Sequence, residues 1–335
     1  MNNTSHNAII SSSEGTGKGL VRTNSLRAWF LAARPKTLTG AAAPVILALS
    51  AAWSDMNFAD PGLAEGCHPP QDEFSWTPAL LCFLFALLMQ VDANFVNDYF
   101  DFRKGRDDRE TRLGPQRACS EGWITPKAMK WGIAITTLLA CLAGLPLVLW
   151  GGWWLVGIGV ACVVFCFLYT TLLAGLGLGD VLVLVFFGLV PVCVTYFIQT
   201  GEVTLPVLLL SIGMGLATDC LLVVNNYRDR EQDRNAGKRT IVVLLGGRFA
   251  ECLYLAFGIV AVLLPLLPAC YSTLNANPNF SPFTPLPLLY LIPHILTWLR
   301  MKRLHSGRPL NAVLGQTAAN IFLYAILESL SLLLA

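Results

Sequence analysis

Two short segments carry most of the polar side chains that could do chemistry in this chain. The first begins at Asn94 and places Asn94, Asn97, Asp98 and Asp101 at positions i, i+3, i+4 and i+7. On a helix these positions share one face. Carboxylates on one face repel each other unless they hold a cation, and hard oxygen ligands suit Mg²⁺. The first segment therefore predicts one half of a metal site.

The second segment, residues 225–240, repeats this pattern further along the chain. Asn225 or Asn226, Asp229 and Asp233 recur at i, i+4 and i+8, and Lys238 follows a glycine. Because Mg²⁺ keeps several waters and takes phosphate oxygens as co-ligands, two such faces beside basic side chains predict a diphosphate site. The basic candidates for the phosphate oxygens are Arg103, Lys104, Arg228 and Lys238.

A simpler interpretation is that both segments are charged loops flanking membrane helices, where Arg and Lys need no further reason. Asn and Asp side chains that reach back into the apolar end of a helix are harder to explain in this way, since unneeded polar groups there cost several kcal/mol. We therefore expect Asp98, Asp101, Asp229 and Asp233 to be both the catalytic residues and the main metal ligands.

Composition indicates the elements that must position these residues. Of the 335 residues 55% are hydrophobic and 13% are charged, against roughly 25% charged in soluble domains, which excludes an ordinary soluble enzyme. Stretches of about 20 apolar residues span a bilayer. Nine such stretches are predicted, at 38–54, 77–96, 129–149, 152–173, 179–199, 204–224, 249–270, 285–300 and 314–334.

The basic residues predict the orientation of these spans. All 23 Lys and Arg residues fall in four clusters, at 18–36, 103–130, 228–248 and 300–308. If nine spans alternate sides, the four clusters lie on one side, which the positive-inside rule makes cytoplasmic. We predict a disordered cytoplasmic tail over 1–25 and a multi-pass membrane domain over 26–335, starting with a short surface helix before Pro35.

Ionisable residues inside apolar spans are a second group of candidates. Asp92, Asp180, Asp219 and Glu328 are of this kind, and such residues are functional candidates because charge is costly in the membrane. Asp180 is the strongest, at the start of a span just after Gly177-Leu178-Gly179.

At the two Asp-rich segments the chain resembles the UbiA superfamily of intramembrane aromatic prenyltransferases. The superfamily pattern NxxNDxxDxxxGxD is matched in the first segment and an NxRDxxxDxxxGK type in the second. The matching residues are Asn94, Asn97, Asp98, Asp101, Gly105 and Asp107, then Asn226, Arg228, Asp229, Asp233, Gly237 and Lys238. The resemblance adds Asn94 and Asp107 to the expected metal ligands.

Three further stretches resemble the branch of this superfamily that prenylates 1,4-dihydroxy-2-naphthoate. They are residues 33–38 (ARPKTL), 112–117 (RLGPQR) and 177–180 (GLGD). The chain departs from that branch at Thr111, where an acidic residue is expected, and in a shortened connection between Tyr169 and Asp180.

The resemblance implies a fold and a reaction. The fold is an all-α bundle of about nine transmembrane helices around a central cavity, capped by cytoplasmic Asp-rich loops and open laterally to lipid. The reaction joins an all-trans polyprenyl diphosphate to 1,4-dihydroxy-2-naphthoate with loss of diphosphate and CO₂, giving demethylmenaquinol. It implies Mg²⁺ as cofactor, by analogy over Mn²⁺, a location in the cell inner membrane, and no nucleic acid partner.

The resemblance also suggests roles for individual residues. Tyr169 or Tyr196 would stabilise the allylic carbocation through a ring face, and Arg34, Lys36 or Arg117 would hold the acceptor carboxylate. The other expected substrate contacts are Asn94, Asn97, Lys104, Asp180, Asn226, Arg228 and Lys238.

Two other functions remain open at this point. A sister prenyltransferase acting on another aromatic acceptor, such as 4-hydroxybenzoate, would keep the diphosphate motifs and differ in the ring pocket. A non-enzymatic transporter would place ionisable residues near the middle of the bilayer, whereas here they gather at one face.

Overall fold

The computed structural model describes residues 21–58, 73–105, 112–171, 177–274 and 281–334, and in these ranges the regular structure is helical. The first helices are α1 (Leu26–Ala33), α2 (Pro35–Phe58), α3 (Trp76–Arg103), α4 (Pro126–Gly144), α5 (Val148–Gly151) and α6 (Trp154–Thr171). They are followed by α7 (Gly179–Leu184), α8 (Val190–Thr200), α9 (Leu205–Asn235), α10 (Ile241–Leu245), α11 (Gly247–Leu274), α12 (Leu291–Leu304) and α13 (Leu310–Leu333).

Seven helical segments of the described chain are long and apolar enough to cross a membrane. They are Pro35–Asn57, Trp76–Arg103, Pro126–Gly151, Gly179–Thr200, Leu205–Asn235, Gly247–Pro268 and Leu310–Leu333. The apolar helix Trp154–Tyr169 is shorter, and α12 continues a 3₁₀ turn, Leu286–Tyr290. All-helical membrane architecture is thus confirmed, and the exact number of nine spans stays a prediction.

Helix α9 lies at the centre of the bundle, between α11, α13 and α7, while α2 packs on α13 and α3 packs on α4. The segment that joins α7 to α8 contains a π-helical turn, Val185–Leu189. Within this turn Gly188 lies so close to α9 that an added Cβ would be 2.5 Å from the Ser211 carbonyl oxygen. A glycine is required there because the two backbones touch, and this contact fixes Asp180 beside α9.

The four basic clusters meet at one end of the bundle, named here the charged end. Arg230 Nη1 donates to the His305 carbonyl at 2.7 Å, and Asn311 Nδ2 donates to the Leu113 carbonyl at 2.8 Å. The N-terminal segment joins them, since Asn24 N donates to the Trp123 carbonyl at 2.7 Å. The expectation that these clusters share one side is confirmed.

Residues 21–25 are the part of the predicted tail that the structure describes. Residues 21–25 are bound to the loop 117–125, because Asn24 also accepts a hydrogen bond from Thr125 N at 3.1 Å. Ser25 then caps α1 by accepting from Ala28 N. The short helix before Pro35 is confirmed as α1, and residues 1–20 lie outside the described part of the chain.

The described carboxylates of the two Asp-rich segments lie on helices. The carboxylates expected on capping loops belong to the last turns of two long helices, because α3 continues to Arg103 and α9 continues to Asn235. At 1.5 Å per residue these helices are about 42 and 46 Å long, longer than the roughly 30 Å hydrocarbon core. Their carboxylates therefore have a rigid helical support.

Candidate active site

One large cavity, about 1550 Å³, runs through the bundle from the charged end. Its charged end is lined by Asp101 from α3 and by Asp229 and Asp233 from α9. Along α3 the lining continues to Cys82, about 28 Å away, and the walls there are apolar. The two Asp-rich segments, separated by more than 100 residues in the sequence, thus share a single cavity.

On the α9 side, Arg228 and Asp229 form a bidentate ion pair. Arg228 Nε and Nη2 donate to the two Asp229 oxygens at 2.7 and 2.6 Å. The same guanidinium donates to Asn225 Oδ1 at 2.7 Å and to Asn311 Oδ1 at 2.8 Å. Arg228 is 4% exposed. Its guanidinium therefore positions Asp229 and joins α9 to α13.

One turn further along α9, Asp233 pairs with Lys238. Lys238 Nζ lies 2.6 Å from Asp233 Oδ1, and Lys238 N donates to the Asp233 carbonyl at 2.9 Å. Gly237 between them has φ of 71°, a left-handed conformation that glycine adopts without strain. The glycine before Lys238 therefore folds the lysine back onto the helix end.

On the α3 side, Asn97 and Asp101 line the cavity. Asp101 Oδ2 accepts from Arg117 Nη2 at 3.3 Å. Arg117 comes from the loop 112–125, which closes over the end of α3. This ion pair mirrors the pair of Asp233 with Lys238 across the cavity.

Asp98 has a different position from the one expected of a metal ligand. It is fully buried and does not line the cavity. Its two oxygens accept from the backbone amides of Ala118 and Cys119 at 2.8 and 2.9 Å, and Arg34 Nη2 is 3.9 Å away. Because Asp98 is buried away from the cavity and holds the backbone amides of the loop, the geometry favours positioning of the loop over metal ligation.

Asn94 and Lys104, which were also expected from the first segment, do not line the cavity. Asn94 is buried and donates to the Ala33 carbonyl at 2.9 Å and to Thr37 Oγ1 at 3.0 Å, so it ties α3 to the junction of α1 and α2. Lys104 is exposed and does not line the cavity. Asp107 lies outside the described residues.

Three arginines surround the mouth of the cavity. Arg34, Arg112 and Arg117 all line it, as does Lys36. Burial lowers the pKa of both Arg34 and Arg112, and repulsion from Arg117 is the second cause in each case. The pKa of Arg34 falls well below its usual value, and that of Arg112 falls to about 10. Arg34 Nη2 is buried and has no hydrogen-bond partner among the described residues. Such a cluster of positive charge favours an anionic ligand.

The two tyrosines expected to stabilise the carbocation, Tyr169 and Tyr196, lie in different parts of the bundle. Tyr169 lines the cavity near the charged end, together with Asp180. Tyr196 lies 16 residues after Asp180 and does not line the cavity. Its hydroxyl donates to Asp55 Oδ2 at 2.6 Å, at the end of the bundle opposite the charged end. The structure thus separates Tyr196 from the charged end, because helix rise carries it about 24 Å from Asp180.

Two carboxylates inside spans also lie off the cavity lining. Asp92 is buried and accepts hydrogen bonds from Thr136 at 2.5 Å and from Thr137 at 3.0 Å, which joins α3 to α4. Asp219 is buried within α9. Neither is part of the cavity wall.

Sequence reasoning gave no site role to Asn311, Arg112 or Gly114. Asn311 accepts from Arg228 and donates to Leu113, so it connects α9, α13 and the loop 112–125. A Cβ added to Gly114 would lie 3.0 Å from Arg228 Nη2. The sequence signal was the dense stretch RLGPQR at 112–117, in which Gly114 lies against Arg228 of the second motif and Arg117 pairs with Asp101 of the first.

The donor set fits a magnesium ion shared with a substrate. Among the described residues no three His, Cys, Asp or Glu side chains form a group suited to hold a metal alone. Mg²⁺ binds by one or two carboxylates with waters and substrate phosphates completing its shell. Asp229 and Asp233, one turn apart on α9, and Asp101 across the cavity provide such carboxylates.

Comparison with known proteins identifies the family of the chain. The model of the UbiA prenyltransferase family matches residues 68–327. The chain belongs to the UbiA prenyltransferase family. A 1,4-dihydroxy-2-naphthoate octaprenyltransferase of Haemophilus influenzae is 36% identical over 71% of this chain and 79% of that protein. The enzyme of the same name from Escherichia coli is 34% identical over 68% and 72%.

Solved structures confirm the UbiA fold at lower identity. A UbiA homologue from Aeropyrum pernix is 15% identical with a TM-score of 0.58, covering 86% of this chain and 96% of that one. A homologue from Archaeoglobus fulgidus, bound to DMAPP and Mg²⁺, is 14% identical with a TM-score of 0.55, covering 89% and 98%.

Proposed function

We propose that this protein transfers a polyprenyl group from an all-trans polyprenyl diphosphate to 1,4-dihydroxy-2-naphthoate. Diphosphate and CO₂ leave, and the product is demethylmenaquinol. The observation that carries the proposal is the meeting of two carboxylate-bearing helix ends, at Asp101 and at Asp229 and Asp233, around one cavity whose remainder is mostly apolar. Such a cavity suits a substrate with a charged head and a hydrocarbon tail, and the names of the relatives supply the acceptor.

The diphosphate is held at the charged end. Asp101, Asp229 and Asp233 would hold Mg²⁺, which supplies positive charge against the negative charge that builds on the leaving group. Lys238 and Arg117 lie beside these carboxylates at 2.6 and 3.3 Å, within reach of phosphate oxygens by charge-assisted hydrogen bonds. Arg228 holds Asp229 in place and is a positioning residue.

Loss of diphosphate leaves an allylic cation, which the electron-rich ring of the acceptor attacks. Tyr169 lines the cavity near the charged end, where the face of its ring stabilises positive charge. Asn97, Asn226 and Asp180 line the same region and supply hydrogen-bonding groups for the reactants. Apolar walls below this level exclude water, which would otherwise consume the cation.

The acceptor carries a carboxylate, and the arginine cluster is its binding site. Arg34 has a buried nitrogen with no hydrogen-bond partner among the described residues, and Arg117 and Lys36 line the same mouth. A carboxylate bound there relieves the repulsion among the guanidinium groups. This places the ring between the mouth of the cavity and the diphosphate.

The orientation follows from the basic clusters. We assign the charged end and the N-terminus to the cytoplasmic side and the protein to the inner membrane, on the positive-inside rule. Diphosphate then leaves directly into the cytoplasm.

The deciding experiment is a transfer assay on purified protein in lipid, with farnesyl diphosphate and 1,4-dihydroxy-2-naphthoate, with and without Mg²⁺. We expect metal-dependent prenylated product in the wild type and a loss of roughly a hundredfold or more in Asp101→Asn and Asp229→Asn, as for removal of a group that stabilises the transition state. Glu231→Gln is the matched control, because Glu231 is exposed on the same helix and does not line the cavity.

Other outcomes contradict parts of the proposal. Activity with 4-hydroxybenzoate in place of the naphthoate would keep the site and assign the protein to another acceptor. Folded protein that transfers to no aromatic acceptor would refute the enzymatic function.

A further inference from the structure

Four carboxylates from the described part of the chain line the cavity, and one of them has no basic partner there. Asp101, Asp229 and Asp233 are each paired with an arginine or lysine at 2.6 to 3.3 Å. The fourth, Asp180, forms no ion pair and accepts no side-chain hydrogen bond from the described residues. Its oxygens can therefore accept a hydrogen bond from a ligand in the cavity.

Close backbone contacts hold Asp180 in a fixed place in the cavity wall. Before it, Gly177 has φ of 79°, and a Cβ added there would lie 2.6 Å from the Arg239 carbonyl oxygen. At the other end of α7, a Cβ added to Gly215 of α9 would lie 3.1 Å from the Leu184 Cα. The short helix is thus fixed at both ends, and a group that accepts a proton during a reaction needs such a rigid support.

Asp180 lies deeper in the bundle than the expected metal ligands. A Cβ added to its neighbour Gly179 would lie 3.1 Å from Leu222 Cδ2. Leu222 is seven residues before Asp229 on α9, about 10 Å along the helix. Because Mg²⁺ binds its ligands at about 2.1 Å, an ion held by Asp229 and Asp233 at the end of α9 lies above the level of Asp180.

Tyr169, whose ring face stabilises the allylic cation in the proposed reaction, lies at the same level as Asp180. A Cβ added to Gly179 would be 3.9 Å from the Tyr169 hydroxyl oxygen, and Tyr169 and Asp180 both line the cavity. The acceptor ring must lie beside the cation in order to attack it. The ring therefore lies beside Asp180 as well, and its hydroxyl groups are the donors that a carboxylate without a basic partner accepts.

We propose that Asp180 is the general base that takes the proton of the acceptor hydroxyl next to the carbon that is prenylated. This inference rests on the proposed function and deepens it. As the allylic C–O bond to diphosphate breaks and the ring carbon bonds to the prenyl group, the hydroxyl proton passes to Asp180 and the hydroxyl becomes a ketone. The resulting β-keto carboxylate loses CO₂, and the electron pair of that C–C bond passes into the ring. Asp180 then returns the proton to the ring oxygen, so no oxidant or reductant is consumed.

The first measurement separates proton transfer from stabilisation of the cation. Asp180→Asn keeps the size of the side chain and an acceptor oxygen but has no carboxylate to take a proton. We expect its kcat for 1,4-dihydroxy-2-naphthoate to fall roughly a hundredfold or more. Ionisation of the donor should stay within about twofold of wild type, measured without acceptor as migration of a labelled bridging oxygen of farnesyl diphosphate in the presence of Mg²⁺. Asp55→Asn is the control, because Asp55 lies at the opposite end of the bundle and does not line the cavity.

The second measurement removes the proton from the acceptor instead of the base from the protein. The acceptor 1-methoxy-4-hydroxy-2-naphthoate has a methyl group in place of that proton. We expect the wild type to prenylate it roughly a hundredfold more slowly than the dihydroxy acceptor. Asp180→Asn should then match the wild type within about twofold, because the two changes remove the same interaction and their effects do not add.

Three results would overturn the role of Asp180 while leaving the proposed function in place. They are a wild-type kcat in Asp180→Asn, slower ionisation of the donor in that variant, and a further loss of rate with the methoxy acceptor. An equal loss of kcat in Asp55→Asn would also overturn it, because the effect would not be specific to the cavity. Wild-type protein that ionises the donor yet prenylates no aromatic acceptor would instead refute the proposed function, and this inference with it.

Discussion

The guanidinium of Arg228 donates two hydrogen bonds to Asp229, its neighbour in the chain, at 2.7 and 2.6 Å. Adjacent residues on a helix point in different directions, so this pairing needs outside support. Asn225 and Asn311 supply it by accepting from the other nitrogens of the same side chain. A basic residue expected to contact phosphate instead fixes the orientation of a carboxylate.

Replacing Arg228 by lysine keeps the charge and removes the planar fork that makes four of these hydrogen bonds possible. We expect Arg228→Lys to lower kcat/KM on the order of a hundredfold, or about 2.7 kcal/mol. Steady-state transfer kinetics measure this, with Arg234→Lys as control because Arg234 is exposed and pairs only with Glu231 in the described structure. Wild-type kinetics in Arg228→Lys would show that charge alone suffices.

Asp98 and Asp233 should differ in their response to magnesium. Asp233 lines the cavity and Asp98 does not. We expect Asp233→Asn to raise the Mg²⁺ concentration for half-maximal activity roughly tenfold. Asp98→Asn should leave that concentration unchanged and destabilise the protein by about 2 kcal/mol, since one backbone amide loses its charged acceptor.

Magnesium titrations and thermal unfolding of both variants distinguish the two roles. A shifted magnesium dependence in Asp98→Asn, at wild-type stability, would restore Asp98 to the metal ligands.

Arg34 should act on the acceptor and not on the donor. Its buried Nη2 has no hydrogen-bond partner among the described residues and only a 3.9 Å ion pair with Asp98, and a charge-assisted hydrogen bond is worth about 1.5–3 kcal/mol. We expect Arg34→Gln to raise the KM for 1,4-dihydroxy-2-naphthoate at least roughly tenfold with little change in the KM for the donor. Measuring both constants tests this, and a change confined to the donor would assign Arg34 to the diphosphate.

Gly114 should tolerate no side chain. An added Cβ would lie 3.0 Å from Arg228 Nη2 and 3.3 Å from Arg112 Nη2, and Arg228 cannot withdraw without losing its partners. We expect Gly114→Ala to reduce kcat/KM roughly tenfold without loss of folded protein. Gly315→Ala is a suitable control, since Gly315 also lines the cavity but has free space, and equal activity of the two variants would contradict the prediction.

The fold and one half of the site could be predicted because they depend on local patterns. Apolar runs of sufficient length identified the spans, and helical spacing placed Asp229 and Asp233 on one face. The charge clusters then predicted which ends of the helices meet. In each case the signal lies within one helix or follows from the membrane itself.

The parts that could not be predicted depend on partners distant in sequence. Asp98 and Asp101 look equivalent on the same helix face, and only the backbone amides of Ala118 and Cys119 distinguish them. Tyr196 was expected to line the cavity, whereas its hydroxyl donates a hydrogen bond to Asp55. No spacing rule relates these pairs, because their contacts arise from how helices pack.

The length of α9 bears on how the substrates meet. At about 46 Å it exceeds the roughly 30 Å hydrocarbon layer, and its carboxylates lie in the last turns. With the diphosphate at the proposed site, bond breaking would take place near the depth of the lipid head groups and not in the middle of the hydrocarbon layer. Donor and acceptor would then meet by lateral diffusion within one leaflet. Neither the diphosphate nor the carboxylate would have to enter the hydrocarbon core.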